Sequence, residues 1–218
     1  EEYTSGRPHI VSPLYDRLKA KRAIFGSKMG WERANWFAAA DEKVETEYSF
    51  GRQNWHDAVR REMQATRNAA GIFDQTSFAK LLLQGRDACA ALNRICGDNI
   101  DVEVGRSVYT GLFNARGGYE SDLTVLRLAT DRFMIVSGSA QPLRDFDWIS
   151  RNIPAGALAT LTDVTSAYAV LGLMGPRSRE ILSRITSADL SDEAFPFSTN
   201  RPIDVGYGTC IANRMTYV

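Results

Sequence analysis

The sequence has few of the residues from which metal centres and hydrolytic sites are built. Its 218 residues include two histidines, His9 and His56, and three cysteines, Cys89, Cys96 and Cys210. Neither histidine lies near cysteines or carboxylates at metal-ligand spacing, so no metal site is predicted. No nucleophile-elbow pattern accompanies either histidine, which argues against a Ser-His-Asp hydrolase. The scattered cysteines predict free thiols in a reducing cytoplasm rather than a disulfide framework.

An excess of charge of one sign is also missing. The 26 basic and 26 acidic residues cancel, so the composition predicts neither a nucleic-acid partner nor a membrane-surface partner. The longest apolar runs, such as residues 168–175, are far too short to span a bilayer. There is no Gly-x-Gly-x-x-Gly after a strand and no Walker sequence. We therefore expect this chain itself to bind neither FAD, NAD nor a nucleoside triphosphate.

Residues 1–50 have little regular pattern. One short helix is expected over 13–23, with Pro13 in its first turn, where a missing N–H is harmless. The large side chains of Trp31 and Trp36 are expected to be buried on another surface. We therefore predict that residues 1–50 are a connector from a missing upstream domain.

The chain as a whole is 44% hydrophobic and 24% charged, which is enough apolar material for a core. From residue 51 onwards, helical and strand patterns predict an α+β fold with mostly antiparallel sheets and flanking helices. Within residues 51–218 we expect a subdomain over about 77–152, inserted between 51–76 and 153–218. Its meander strands are predicted at 108–114, 123–128 and 133–137, and its helices at 87–95 and 142–152.

The most informative segment runs from Gly117 to Val125. Its two adjacent glycines allow positive φ and a close backbone approach, and Asp122 stands where an apolar strand is expected to begin. Because aspartate is disfavoured in strands, a carboxylate here needs a reason. One interpretation is an aspartate that caps the hairpin turn by accepting backbone N–H groups. The other is a fixed carboxylate on a rigid sheet, aimed into a cavity.

Two more polar side chains are predicted to share its surroundings. Tyr109 lies thirteen residues before Asp122 on the facing strand, so a hairpin would make the two neighbours. Thr124 follows Asp122 by two residues and points to the same face of the sheet. Tyr109 could instead be a half-buried aromatic that packs across the sheet. Three polar groups that converge on one face favour a ligand pocket.

Several segments resemble one known family. Residues 117–122, Gly-Gly-Tyr-Glu-Ser-Asp, are similar to the Gly-Gly-x-x-x-Asp hairpin of the glycine-cleavage T-protein (aminomethyltransferase) superfamily. Residues 163–166, 173–180 and 214–218 also resemble that superfamily. A narrower resemblance, to the folate half of dimethylglycine and sarcosine dehydrogenases, is carried by residues 12–18, 30–37 and 71–74.

The resemblance implies a protein with an FAD-binding oxidoreductase half, absent from this chain, and a folate half with the cloverleaf aminomethyltransferase fold. This chain would be an incomplete cloverleaf, truncated at its carboxyl end. It lacks the Gly-Glu-x-Gly segment with which the family helps to hold the pterin, so alone it is expected to bind folate weakly or not at all. The family's catalytic aspartate falls on Asp122, and its folate-contacting positions fall on Tyr109, Asp122, Thr124, Val136 and Tyr217.

The implied activity is one-carbon transfer to tetrahydrofolate. The flavin half would oxidise an N-methyl amine to an iminium, and a tetrahydrofolate nitrogen would attack the one-carbon unit. The products would be 5,10-methylenetetrahydrofolate and the demethylated amine. An ionised Asp122 would orient the attacking amine and accept its proton. Two alternatives stay open: a stand-alone folate-dependent aminomethyltransferase or demethylase, and a non-catalytic relative of the fold.

Overall fold

The computed structural model describes residues 3–216, which form two compact units. The first unit contains residues 3–77 and Ala169–Arg179, and the second contains Phe78–Tyr168 and residues 180–216. No helix in this described range is long and apolar enough to cross a membrane. The connector role of residues 1–50 and the inserted subdomain over 77–152 stay predictions.

The elements are named here in chain order. They are α1 (Tyr15–Ala20), β1 (Ala23–Lys28), β2 (Trp31–Phe37), α2 (His56–Asn68), β3 (Gly71–Asp74), β4 (Ala79–Gln84), α3 (Ala88–Ile95), β5 (Ser107–Phe113), β6 (Tyr119–Ala129), β7 (Arg132–Ser137), α4 (Pro142–Asn152), β8 (Thr160–Asp163), β9 (Leu171–Met174), α5 (Ser178–Leu182), β10 (Thr199–Val205) and β11 (Gly208–Arg214). A short 3-10 helix, Thr165–Ala167, lies between β8 and β9.

The first unit contains two antiparallel strand pairs, β1 with β2 and β3 with β9. Trp36 is buried with Ile24, Ala38 and Ala58, so the β1–β2 hairpin and the start of α2 share a small core. The expectation of little regular structure before residue 50 is therefore wrong. The helix expected over 13–23 is shorter, because the chain enters strand β1 at Ala23 and buries that residue and Ile24.

The second unit is built on a five-stranded sheet with the order β5-β6-β7-β4-β8. All its neighbouring strands run antiparallel, which confirms the expected fold class and the β5-β6-β7 meander. Helices α3 and α4 cover one face of this sheet. Leu92 of α3 and Ile149 of α4 are fully buried against Leu81, Phe133 and Ile135 of the sheet. Because this core is closely packed, the sheet is a stiff support for the side chains on its other face.

Strand β6 is longer than the sequence predicted. Backbone pairing begins at Tyr119, which lies opposite Phe113, and not at residue 123. Asp122 is therefore the fourth residue of β6 and sits inside a paired ladder, opposite Gly111. Aspartate usually favours turns over strands. Here the backbone pairing of the residues before and after Asp122 holds it in the strand. The carboxylate is consequently held by a strand and not by a loop.

The hairpin of β10 and β11 fixes the start of β5. Asn200 of β10 is buried, and its side-chain amide donates to the carbonyl of Arg106 at 2.9 Å and to Oγ of Ser107 at 3.0 Å. The Ser107 hydroxyl in turn donates to Oδ1 of Asn213 at 2.7 Å. These side-chain bonds supplement the backbone pairing and set the position of the strand that carries Tyr109.

Candidate functional site

Strands β5 and β6 have one face in the core and one face outside it. Leu112 and Leu123 belong to the core beneath α3 and α4. Successive side chains of a strand alternate between faces, so Tyr109, Asp122 and Thr124 lie on the face turned away from that core. We call this surface, defined by those three residues, the site face.

Four residues form a row across the site face. Tyr109 is the register partner of Thr124, Thr124 is the partner of Val136, and Val136 is the partner of Lys80. Neighbouring strands are about 4.8 Å apart, so the row is about 14 Å long. The side chain of Lys80 is buried whereas Tyr109 is 63% exposed. The row therefore opens to solvent at its Tyr109 end, where Asp122 also lies.

Tyr109 and Asp122 form a hydrogen-bonded pair. The Tyr109 hydroxyl donates to Oδ2 of Asp122 at 2.8 Å. The contact is diagonal across the ladder, since the direct partner of Asp122 is Gly111. This hydrogen bond and the negative charge of Asp122 raise the pKa of Tyr109 to about 12, because ionising the phenol would place two anions side by side. Tyr109 is thus a neutral phenol at neutral pH, and its hydrogen bond holds the Asp122 side chain in place.

The turn beside the site is capped by Asn114. Its Oδ1 accepts backbone N–H groups from Arg116 at 3.0 Å and from Gly118 at 2.9 Å. Among the described residues, Asp122 accepts no backbone N–H at its carboxylate and has Tyr109 as its hydrogen-bond donor. The interpretation of Asp122 as a turn cap is therefore wrong. Its remaining lone pairs are available to a ligand.

Aromatic rings flank the Asp122 end of the site face. Phe113 and Tyr119 meet edge to face, with ring centroids 5.5 Å apart. Burial raises the pKa of Tyr119, and the charge of Asp122 raises it further. Gly111 makes room for both rings: a Cβ there would lie 2.7 Å from Cζ of Phe113 and 3.0 Å from Cε2 of Tyr119. With Tyr109, the two rings give the carboxylate a largely exposed aromatic border.

The structure thus brings together Tyr109, Asp122, Thr124 and Val136, four of the five predicted site residues. The fifth, Tyr217, lies outside the described residues. Sequence reasoning missed two residues of this face. Lys80 carried a signal, because a lysine inside the apolar strand β4 falls on the site face by strand alternation. Tyr119 follows Gly117-Gly118, and only the early start of β6 brings it beside Asp122.

Two surface depressions within residues 3–216 lie away from Asp122. One is bordered by Gln84, Gly85, Ala129, Asp131 and Arg132, and the other by Tyr3, Thr4, Arg7, Pro8, Tyr15, Phe25 and Glu32. Asp122 itself is partly exposed on strand β6. The predicted carboxylate is in place, and the cavity beside it stays a prediction.

Within residues 3–216, the cysteines and acidic residues form no metal site. Cys89, Cys96 and Cys210 are free, as predicted, and burial raises the pKa of Cys96 to about 12. That thiol is therefore protonated at neutral pH and unreactive. In the range that the structure describes, no three His, Cys, Asp or Glu residues are grouped to hold a metal ion.

Residues 14–218 match the GCVT N-terminal domain family. The chain is 39% identical over 214 residues to "4-methylaminobutanoate oxidase (formaldehyde-forming)" of Paenarthrobacter nicotinovorans, covering 98% of this chain and 26% of that protein. It is 32% identical to "Pyruvate dehydrogenase phosphatase regulatory subunit, mitochondrial" of Mus musculus, covering 96% and 24%. It is also 32% identical to "Dimethylglycine dehydrogenase, mitochondrial" of Mus musculus, covering 100% and 25%.

The fold is found in a solved structure as well. The glycine cleavage system aminomethyltransferase T from Bartonella henselae superposes with a TM-score of 0.70 at 24% identity, over 88% of this chain and 47% of that chain. This likeness shows the fold of an aminomethyltransferase. The chain spans about a quarter of the length of the curated relatives that it matches.

Proposed function

This chain belongs to the family of the GCVT N-terminal domain, and we propose that it is the tetrahydrofolate-binding, one-carbon-transfer part of an FAD-dependent N-methyl amine dehydrogenase. The longer protein would trap the one-carbon unit as 5,10-methylenetetrahydrofolate. The relatives named as an oxidase and a dehydrogenase support this reaction class. FAD and amine oxidation would belong to another domain, since this sequence has no dinucleotide-binding fingerprint.

The hydrogen-bonded pair of Tyr109 and Asp122 on the open site face is the observation that carries this proposal. A reduced pterin has a flat ring and several N–H donors along its edge. A carboxylate with free lone pairs accepts such donors, and an exposed tyrosine ring gives a stacking surface. Thr124 adds a hydroxyl two residues from Asp122 on the same face. The chemistry of these groups therefore fits the ligand that the family implies.

Each residue has a distinct task in the transfer. Tetrahydrofolate supplies the nucleophilic nitrogen when bound. The Asp122 carboxylate would accept a hydrogen bond from that nitrogen, take up its proton as the new C–N bond forms, and stabilise the positive charge of the incoming iminium. Tyr109 keeps its own proton, because its pKa is raised to about 12, and so holds the carboxylate in one orientation. Val136 would pack beside the ring in the row that links Thr124 to Lys80.

Two other functions compete with this one. A non-catalytic role has support from the relative named as a regulatory subunit, but the intact Tyr109–Asp122 pair favours catalysis over a bare scaffold. A stand-alone aminomethyltransferase or demethylase would need no flavin domain. Whether the reading frame around this segment encodes a flavin domain distinguishes this alternative from the proposed dehydrogenase. We also propose a cytoplasmic location, which the three free cysteines support.

The proposal is tested by following the fate of the one-carbon unit in the full-length protein. Asp122→Asn and Asp122→Ala are compared with the unchanged protein, given an N-methyl amine and tetrahydrofolate. Amine oxidation should persist, while the yield of methylenetetrahydrofolate falls and released formaldehyde rises. Asp131→Asn, an exposed carboxylate in the β6–β7 turn, is the matched control. If both product yields stay the same in the Asp122 variants, the assigned role is wrong.

A further inference from the structure

One buried carboxyl group lies outside the site just described. Asp145 in helix α4 is 1% exposed. Both of its carboxylate oxygens are buried and have no hydrogen-bond partner within the described residues. An ionised carboxylate without partners is very costly to bury, and such a group takes up a proton instead. This geometry alone therefore favours the neutral acid.

The neighbours of Asp145 lie on the adjacent strands β6 and β7. The hydroxyls of Ser121 in β6 and Ser137 in β7 are near enough to lower its pKa, although neither is aligned as a hydrogen bond. Both serines are themselves buried. Ser121 directly precedes Asp122, and Ser137 is the register partner of Leu123. Asp145 therefore sits behind the segment of β6 whose other side presents Asp122.

Two charges act on Asp145 from nearby. Arg144 lowers its pKa, but the guanidinium of Arg144 is paired with Oε2 of Glu120 at 2.6 Å. The charge of Asp122, on the far side of β6, raises it. Burial is the largest influence, and the pKa of Asp145 lies above its ordinary value. Like charges disfavour each other reciprocally, so an anion at Asp145 would also oppose the charge on Asp122.

We propose that Asp145 is held as a neutral carboxylic acid behind strand β6 and is a positioning residue for Asp122. A neutral acid both donates and accepts hydrogen bonds, so it can join α4 to the hydroxyls of Ser121 and Ser137 on two adjacent strands. It also leaves the Asp122 carboxylate without a second negative charge behind it. Ionising Asp145 removes this hydrogen-bond donor and adds a negative charge behind Asp122. Both changes weaken the support that Asp145 gives to Asp122. The positioning role rests on the proposed function; the protonation state does not.

The protonation state is tested without any ligand. The side-chain carboxyl carbons of the full-length protein are followed by 13C NMR through a pH titration, with Asp145→Asn to identify the signal. Asp147, on the same helix, is exposed and paired with Arg151 at 2.5 Å, so it is the matched control. Asp145 should stay protonated at neutral pH and titrate well above Asp147. Removing the charge with Asp122→Asn should lower the Asp145 midpoint. An Asp145 signal that titrates with Asp147 would overturn the proposal.

The positioning role is tested by tetrahydrofolate binding across pH. Asp145→Asn keeps the shape and a neutral polar group, and should bind as the unchanged protein does at neutral pH. The unchanged protein should lose affinity as Asp145 ionises, and Asp145→Asn should not. Asp145→Leu removes the polar link and should bind about tenfold more weakly at every pH. Equal loss in the Asn and Leu variants would contradict positioning by a neutral acid. If no variant of Asp122 affects folate binding, the proposed function fails while the titration result stands.

Discussion

The coupling between Tyr109 and Asp122 gives the sharpest prediction. Asp122→Asn replaces the carboxylate by an amide of the same shape and removes the two largest causes that raise the pKa of Tyr109, the hydrogen bond to an anion and the negative charge. The pKa should therefore fall from about 12 towards the ordinary value of 10.0. The smaller contributions from burial and from Tyr119 remain. The shift is measurable even though Tyr109 is largely exposed, because it depends on one close contact.

The magnitude of this pKa change can be read from the ionised fraction of Tyr109 at one alkaline pH. At pH 10.5, a phenol with a pKa of about 12 is about 3% ionised, and one with a pKa of 10 is about three-quarters ionised. The chain has eight tyrosines, so the assay is NMR of 13Cζ-labelled tyrosine, with Tyr109→Phe to identify the signal. Asp131→Asn controls for the loss of a carboxylate elsewhere in the protein, in the β6–β7 turn.

A Tyr109 signal that titrates identically in the unchanged protein and in Asp122→Asn would refute the reasoning. It would show that the phenol does not donate to this carboxylate in solution. The same result would remove the argument that Asp122 is held in one orientation. A shift of similar size in Asp131→Asn would point instead to a general effect of net charge.

Three further substitutions separate binding from folding. Thr124→Val keeps the shape but removes a hydroxyl from the site face, so calorimetry should show weaker tetrahydrofolate binding in the full-length protein, while thermal unfolding changes little. Gly111→Ala places a Cβ 2.7 Å from Phe113 and 3.0 Å from Tyr119; displacing these rings should cost about 1–3 kcal/mol of unfolding free energy, and an unchanged denaturation midpoint would contradict the packing described. Leu92→Ala, in the fully buried core beneath the sheet, should cost about 2–5 kcal/mol in denaturant unfolding and leave the Tyr109 titration intact wherever the protein is folded.

The meander and its covering helix could be predicted from the sequence, because their signals are local. The apolar run of β7 and the proline at the start of α4 mark those elements without knowledge of their neighbours. Asp122, Tyr109 and Thr124 could be placed on one face for the same reason, since strand alternation and one hairpin suffice.

The failures have physical causes that act over longer distances. The start of β6 was misplaced because Glu120 and Asp122 look like turn residues, and pairing with β5 overrides that preference. The β1–β2 hairpin was missed because its burial depends on α2, which begins 19 residues after the hairpin ends. The sequence left a turn-capping role open for Asp122, because Asn114 and Asp122 are both suitable acceptors and only the geometry distinguishes them.

The most direct test of a folate site beside Asp122 is a calorimetric titration of the full-length protein with tetrahydrofolate, before and after Asp122→Asn. The site face predicts saturable binding in the unchanged protein and a clear loss of affinity in the variant. Equal affinity in both proteins, or no heat of binding in either, would contradict the central claim.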